Sequence, residues 1–281
     1  MRIELEVKEY FNELIRIESV YSQEEALYPW IFILLKIAEI RKSDKLKERY
    51  SKIDIINVPG ARNGERLLDE AASIREQLTE FVGTPDIALI SGNKVLGCVE
   101  AKNILPYKLF ANDYEVPDTI DFPTILKKKN INKDQIITKG KNKGEEKPPL
   151  FLWRYEDAGI INLQDVNEYA PHQLLSHLQK FNKVIYTNGL EFYYLRLLQE
   201  ETGKVIKIMK LANLFDSYDE YKKTPEDPKI IIKAKEEWDA LLDNLSEIDW
   251  FNIDANLNFG VPQFMIQDEK GIIINKIGEE R

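Results

Sequence analysis

Asp86, Glu100 and Lys102 are the side chains of this 281-residue chain best equipped for catalysis. They lie in the stretch 83–102, which reads as two short strands joined by a turn. Pro85-Asp86 opens the first strand and residues 87–90 continue it. Ser91-Gly92-Asn93-Lys94 is turn chemistry, because Gly and Asn tolerate positive φ. Residues 95–101 form the second strand, apolar and bounded by polar residues. Side chains alternate along a strand, so Glu100 and Lys102 share one face while Val99 and Ala101 take the other. In an antiparallel pair the start of one strand lies beside the end of the next, which brings Asp86 to the same end of the hairpin. Two carboxylates supply the oxygen ligands that suit a hard divalent cation such as Mg²⁺. A cation held there polarises a phosphoryl oxygen and lowers the pKa of a bound water. The lysine orients that water or offsets charge building on phosphorus. The set fits phosphodiester hydrolysis; the plainer alternative is a surface hairpin with a chance ion pair.

The elements that must hold these residues are read from periodicity. Residues 5–17 space Val7, Tyr10, Phe11, Leu14 and Ile15 as one face of an amphipathic helix. Ser22 and Glu25 fit a capping box. Pro29 implies either a kink or a fresh start, with a mostly buried helix continuing over 30–40. Residues 53–58 form a short strand ended by Pro59-Gly60, and a charged helix over about 65–80 leads into the hairpin. Further on, Pro171 opens a helix to Phe181, with Leu174, Leu175, Leu178 and Phe181 on the buried side. Gln173, His177 and Lys180 fall on the opposite side. A strand over 183–187, the hairpin dipeptide Asn188-Gly189 and a return strand over 190–197 complete this block.

Composition narrows the function. The net charge of −9 argues against a diffuse basic coat, although binding of a polyanion responds to the local field. Eight lysines between Leu126 and Lys147 make the only strongly basic segment. Two readings stay open for it: a solvated insertion, the commoner fate of like-charge blocks, and a clamp on a phosphate backbone. The lone Cys98 permits no disulfide within the chain, which fits a reducing cytosol, and we expect a cytoplasmic protein. The charged opening residues are no signal peptide, and the apolar run 29–35 is too short to span a membrane. His172 and His177 are five apart, not the i, i+4 pair of a helical zinc site. A phosphate-binding Gly-x-x-x-x-Gly-Lys-Ser/Thr loop and a Gly-x-Ser-x-Gly elbow are both absent from the sequence.

Pro85-Asp86, thirteen residues, then Glu100-Ala101-Lys102 resembles the PD-(D/E)xK nuclease signature. The block 173–192, with Gln-Leu-x-x-His-Leu and then Val-Ile-Tyr-Thr-Asn-Gly-Leu-Glu-Phe, is similar to the segment downstream of that signature in restriction nucleases. The likeness is to the amino-terminal nuclease domains of single-chain restriction–modification enzymes and, more loosely, to the nuclease region of type I restriction subunits. It covers about residues 20–200. It implies that Asp86 and Glu100 hold Mg²⁺, that Lys102 positions or activates the attacking water, and that Gln173 faces the active site. It also implies that Glu24, on the first core helix, adds to the metal site. A charge favoured by the positive end of a helix is the alternative for Glu24. His177 stands where the family often has tyrosine. Residues 105–168 are longer than the family pattern and look like an insertion. The Asn-Pro-Pro-aromatic block and glycine-rich cofactor loop of a methyltransferase are missing, so methylation would come from elsewhere.

These readings converge on an α/β fold. A restriction-endonuclease-like mixed central sheet is expected from strands near 53–58, 85–90, 95–101, 183–187 and 190–196, flanked by helices on both faces. Residues 1–224 would form the nuclease-like domain, with its insertion at about 105–168. Residues 201–224 are expected as a surface turn with a short helix around 211–221. Residues 225–281 would be a small C-terminal appendage of unknown role: a helix over 230–245 and a hairpin over 264–277. The expected function is a Mg²⁺-dependent DNA endonuclease of restriction or foreign-DNA defence. Its expected partners are DNA, a separate methyltransferase or specificity subunit, and a second copy of the chain. A repair or recombination nuclease on the same fold and a non-cleaving DNA-binding or assembly module are the alternatives.

Overall fold

The structure is a computed structural model, which describes residues 5–20, 24–41, 52–58, 85–102, 104, 109, 118–121, 125–130, 144, 151–154, 173–201, 203–215, 218–223, 228–252, 265–267 and 273–275. The hairpin on which the site depends forms as expected. Strand β2 (Ile87–Ser91) pairs antiparallel with β3 (Lys94–Ala101), and Gly92 turns between them at φ 55°. A side chain at that φ would strain the backbone, which is why glycine serves there. Strand β1 (Asp54–Asn57) lies antiparallel to β2. On the other side β3 runs parallel to β7 (Lys183–Thr187), with Glu100 opposite Tyr186. Strand β8 (Glu191–Glu200) folds back on β7 and pairs with β9 (Gly203–Asn213), and β4 (Thr119–Asp121) closes the edge. The sheet is mixed and seven-stranded, in the order β1-β2-β3-β7-β8-β9-β4.

Helices cover both faces. On one face α1 (Val7–Val20), α2 (Tyr28–Arg41) and α5 (Pro228–Glu247) pack against Ile87, Leu89, Val99, Ala101, Ile185 and Phe192. On the other, α3 (Gln173–Phe181) sets Leu174, Leu175 and Leu178 against Ala88, Cys98, Val184 and Tyr186. Neighbouring strand residues thus alternate between the two cores, and each fully buried Leu or Phe contributes about 1.5–3 kcal/mol. Because Cys98 faces α3, Glu100 two positions on faces it too. Helix α2 begins afresh after a 3₁₀ turn over Glu24–Leu27, leaving Pro29 in its first turn, where no intrahelical N–H is needed. The β7–β8 turn spans residues 188–190. Asn188 Oδ1 closes it by accepting the backbone N–H groups of Leu190 and Glu191. Tyr10 of α1 donates its hydroxyl to Gly189 O at 2.7 Å, locking this turn to the helical layer.

One expected element is overturned. Residues 203–213 form the eleven-residue strand β9, not a turn leading to a helix, and the next helix, α4, is confined to Tyr218–Lys223. Ile206 and Ile208 point inward with Lys207 and Met209 outward, as a strand requires. Further along, Lys210 is exposed and Leu211 and Ala212 are both buried, beside a register shift opposite Phe192/Tyr193. A bulge of this kind breaks period-two alternation and hides the strand from a periodicity reading.

The segment 225–281 divides. Helix α5 places Ala234, Trp238, Leu241, Leu242 and Leu245 in the core shared with α1 and α2. Strands β10 (Met265–Gln267) and β11 (Ile273–Asn275) form the expected hairpin, and β10 also runs parallel to β5 (Ile125–Asn130). With β6 (Phe151–Arg154) they make a second sheet, β11-β10-β5-β6. Strand β5 carries Lys127, Lys128 and Lys129 of the basic segment. The helix expected over 65–80, and Pro171 and His172, lie outside the described residues. Among the described residues no helix is long and apolar enough to cross a membrane.

Candidate active site

The backbone fixes the end of the hairpin before any side chain is considered. Asp86 N–H donates to Val99 O at 3.2 Å, Val58 N–H donates to Asp86 O at 3.0 Å, and Lys102 N–H donates to Thr187 O at 2.8 Å. Asp86 is therefore clamped between β1 and β3, and Lys102 is tied to the end of β7. Asp86, Glu100 and Lys102 meet there, as the strand pairing implies. Lys102 Nζ donates to Glu100 Oε1 at 2.6 Å. Asp86 Oδ2 accepts the Ala101 N–H at 2.7 Å, so the aspartate touches the peptide that links the other two residues.

Two further side chains complete the arrangement. Tyr28, the first residue of α2, donates its hydroxyl to Asp86 Oδ1 at 2.5 Å. His177 of α3 sets Nδ1 3.2 Å from Glu100 Oε2. That approach falls short of hydrogen-bond geometry, and Glu100 Oε2 accepts no hydrogen bond in its buried position. Asp86 is 6% exposed, Glu100 1% and His177 0%, whereas the Lys102 side chain is 20% exposed. The site therefore meets solvent at its lysine. His177 is the correction to the sequence reading of α3: the side of the helix assigned away from the core carries a fully buried imidazole facing Glu100. A helix lying on a sheet beside a buried carboxylate keeps a polar residue on its inner face, and leucine periodicity alone assigns that residue outward.

Electrostatics separates the two acids. Burial drives Asp86 well above the usual aspartate range, and repulsion from Glu100 adds to it; the Tyr28 hydroxyl, the Lys102 ammonium and the Ala101 N–H pull the other way. Glu100 is opposed by burial too, but Lys102 and His177 outweigh it and hold Glu100 below its ordinary value. The Cys98 thiol is pushed well up by burial and then by the neighbouring Glu100 and Asp86 carboxylates.

Mg²⁺ fits this donor set. The ion commonly takes one or two carboxylates and completes its shell with water and phosphate oxygens. Asp86 and Glu100 are two such acids, and each Asp86 oxygen accepts a single protein hydrogen bond and keeps a lone pair. No group of three or more His, Cys, Asp or Glu suited to a metal occurs among the described residues.

Glu24 and Gln173 are placed by their backbone only. Glu24 opens the 3₁₀ turn that delivers Tyr28, and Gln173 opens α3 one turn before His177. Sequence reasoning missed Tyr28 altogether, since nothing local marks a tyrosine that bonds an aspartate 58 residues away. For His177 a signal existed, in its position one helical turn after Gln173.

No family model, curated protein or solved structure matches the chain.

Proposed function

We propose that the chain is a Mg²⁺-dependent endonuclease that hydrolyses DNA phosphodiester bonds. The observation that carries this reading is the cluster at the end of β3: a lysine ammonium 2.6 Å from a buried glutamate, with a second buried carboxylate tied to the intervening peptide. Asp86 and Glu100 are the residues that hold the cation. When bound, Mg²⁺ supplies a Lewis acid for a phosphoryl oxygen and acidifies a coordinated water. Lys102, the solvent-facing member of the set, orients the attacking water for in-line approach and offsets charge as it builds on phosphorus. Glu100 keeps the ammonium in place for that task, and His177 walls the far side of Glu100 from solvent. The resemblance to restriction nucleases implies restriction or foreign-DNA defence as the biological setting, with a PD-(D/E)xK nuclease as the class. Cutting both strands of a duplex then takes two copies of the site.

Relaxation of a supercoiled plasmid tests this directly. Wild type with Mg²⁺ is expected to nick the plasmid, while Asp86→Ala and Lys102→Ala lose at least about 100-fold in rate, the scale of removing one transition-state stabilising group. Equal nicking by all three proteins would assign the activity to a contaminant.

A further inference from the structure

We infer that Tyr28 is a positioning residue for the cation site: its hydroxyl orients the Asp86 carboxylate so that the remaining lone pairs face the cation. The inference rests on the Mg²⁺-dependent reading above and adds to it a residue that neither the motif nor its spacing contains.

Asp86 leaves the end of a strand on a side chain with two rotatable bonds. An acid there has to present fixed lone pairs if it is to bind a small ion with demanding geometry. Two donors from different elements supply that constraint. Ala101 N–H, in β3, holds Oδ2 at 2.7 Å, and Tyr28 O–H, in α2, holds Oδ1 at 2.5 Å. The second distance lies at the short end for a hydroxyl donating to an ionised acceptor. With either donor alone the carboxylate could still pivot about the surviving hydrogen bond. With both, its plane is set.

Tyr28 is itself buried. It is 2% exposed, and its helix is seated by Ile31, Leu34 and Ala38 in the core shared with α5. The orientation of Asp86 is therefore referred to the helical layer as well as to the sheet. Tyr10 makes an instructive contrast. It is another buried tyrosine bonding across the same layer, but its hydroxyl meets the backbone carbonyl of Gly189 at 2.7 Å and touches neither carboxylate.

Tyr28→Phe removes the hydroxyl and keeps the ring; Tyr10→Phe does the same at a position without an acid. Calorimetric titration with Mg²⁺ in the absence of DNA is the first readout, and plasmid nicking as a function of Mg²⁺ concentration is the second. Loss of a group that orients a metal ligand commonly lowers metal affinity or activity about 10- to 100-fold. Tyr28→Phe is expected to weaken Mg²⁺ binding within that range and to raise half-saturating Mg²⁺ for nicking in parallel, with the KM for DNA unchanged. Tyr10→Phe is expected to lower the melting temperature by a similar amount while binding Mg²⁺ as wild type does. The inference is overturned if Tyr28→Phe binds Mg²⁺ like wild type, or if the two variants lose affinity equally, since general loosening would then explain both. A wild-type chain that binds no Mg²⁺ overturns this inference together with the functional reading, whereas normal binding by wild type and Tyr28→Phe alike removes only the inference.

Discussion

Replacing Lys102 by methionine isolates the electrostatics of the site, because methionine keeps the unbranched stem and removes the charge. Glu100 is 1% exposed and its Oε1 is 2.6 Å from the ammonium, while the lysine side chain is 20% exposed. Breaking a buried pair by removing one partner typically costs 3–5 kcal/mol, and partial exposure of the lysine sets the expectation at the low end, about 3 kcal/mol near pH 7.5. At roughly 2–4 °C per kcal/mol for a chain of this size, the melting temperature should fall by about 6–12 °C. The directions of the pKa shifts set the pH dependence. In wild type Glu100 sits below its ordinary value of 4.5, so its contribution is fully present above that value and is lost as pH falls through the lower folded pKa. In Lys102→Met the largest lowering influence is gone and only His177 opposes burial, so the glutamate's pKa rises from its wild-type position and its contribution near neutral pH shrinks. Asp86 is already raised above 3.8 and loses the same compensating ammonium, so it moves in the same direction. The stability gap should therefore be widest near neutral pH and shrink toward about pH 4. Urea unfolding in EDTA at both pH values measures it. A variant as stable as wild type near neutral pH, or a gap that widens on acidification, would show that Glu100 does not depend on Lys102.

Two predictions concern how the segment following α5 packs against the sheet. A Cβ on Gly97 would lie 2.5 Å from Trp250 Cζ3 and 2.9 Å from Lys183 O, so Gly97→Ala should lower unfolding free energy by about 1–3 kcal/mol, the range for overpacking. A urea midpoint unchanged from wild type would mean that Trp250 does not press on β3. Lys183 is buried and donates to Asp249 O and Trp250 O at 3.1 and 2.7 Å; burial, then the neighbouring Arg196 charge, lowers its pKa from 10.5 to about 8. Between those values the unfolded chain holds a proton that the folded one has lost, so wild-type stability should gain from this group as pH rises from about 8 toward 10.5. Lys183→Met should lack that gain, which unfolding across the same alkaline series would detect.

The convergence of the candidate site residues was legible because their geometry is local. Asp86, Glu100 and Lys102 share a hairpin whose turn, strand polarity and alternation are all written within residues 83–102, and a two-residue periodicity places side chains on faces without knowledge of the rest of the chain. The helix α3 and the strands β7 and β8 were equally visible, each carrying its own periodicity and turn signal. Strand β9 was not, because a bulge interrupts its alternation at the point where a strand would otherwise declare itself.

From its local pattern the chain therefore specified the hairpin, the α/β layering and the convergence of two acids and an amine. Folding decided which partners those groups meet. Tyr28 reaches Asp86 because α2 seats on the sheet through Ile31, Leu34 and Ala38, and His177 reaches Glu100 because α3 covers the opposite face. Packing of distant apolar surfaces sets both contacts, and no short window of sequence holds that information. The same packing buries the carboxylates and drives their pKa values apart, since desolvation exists only once the layers have closed.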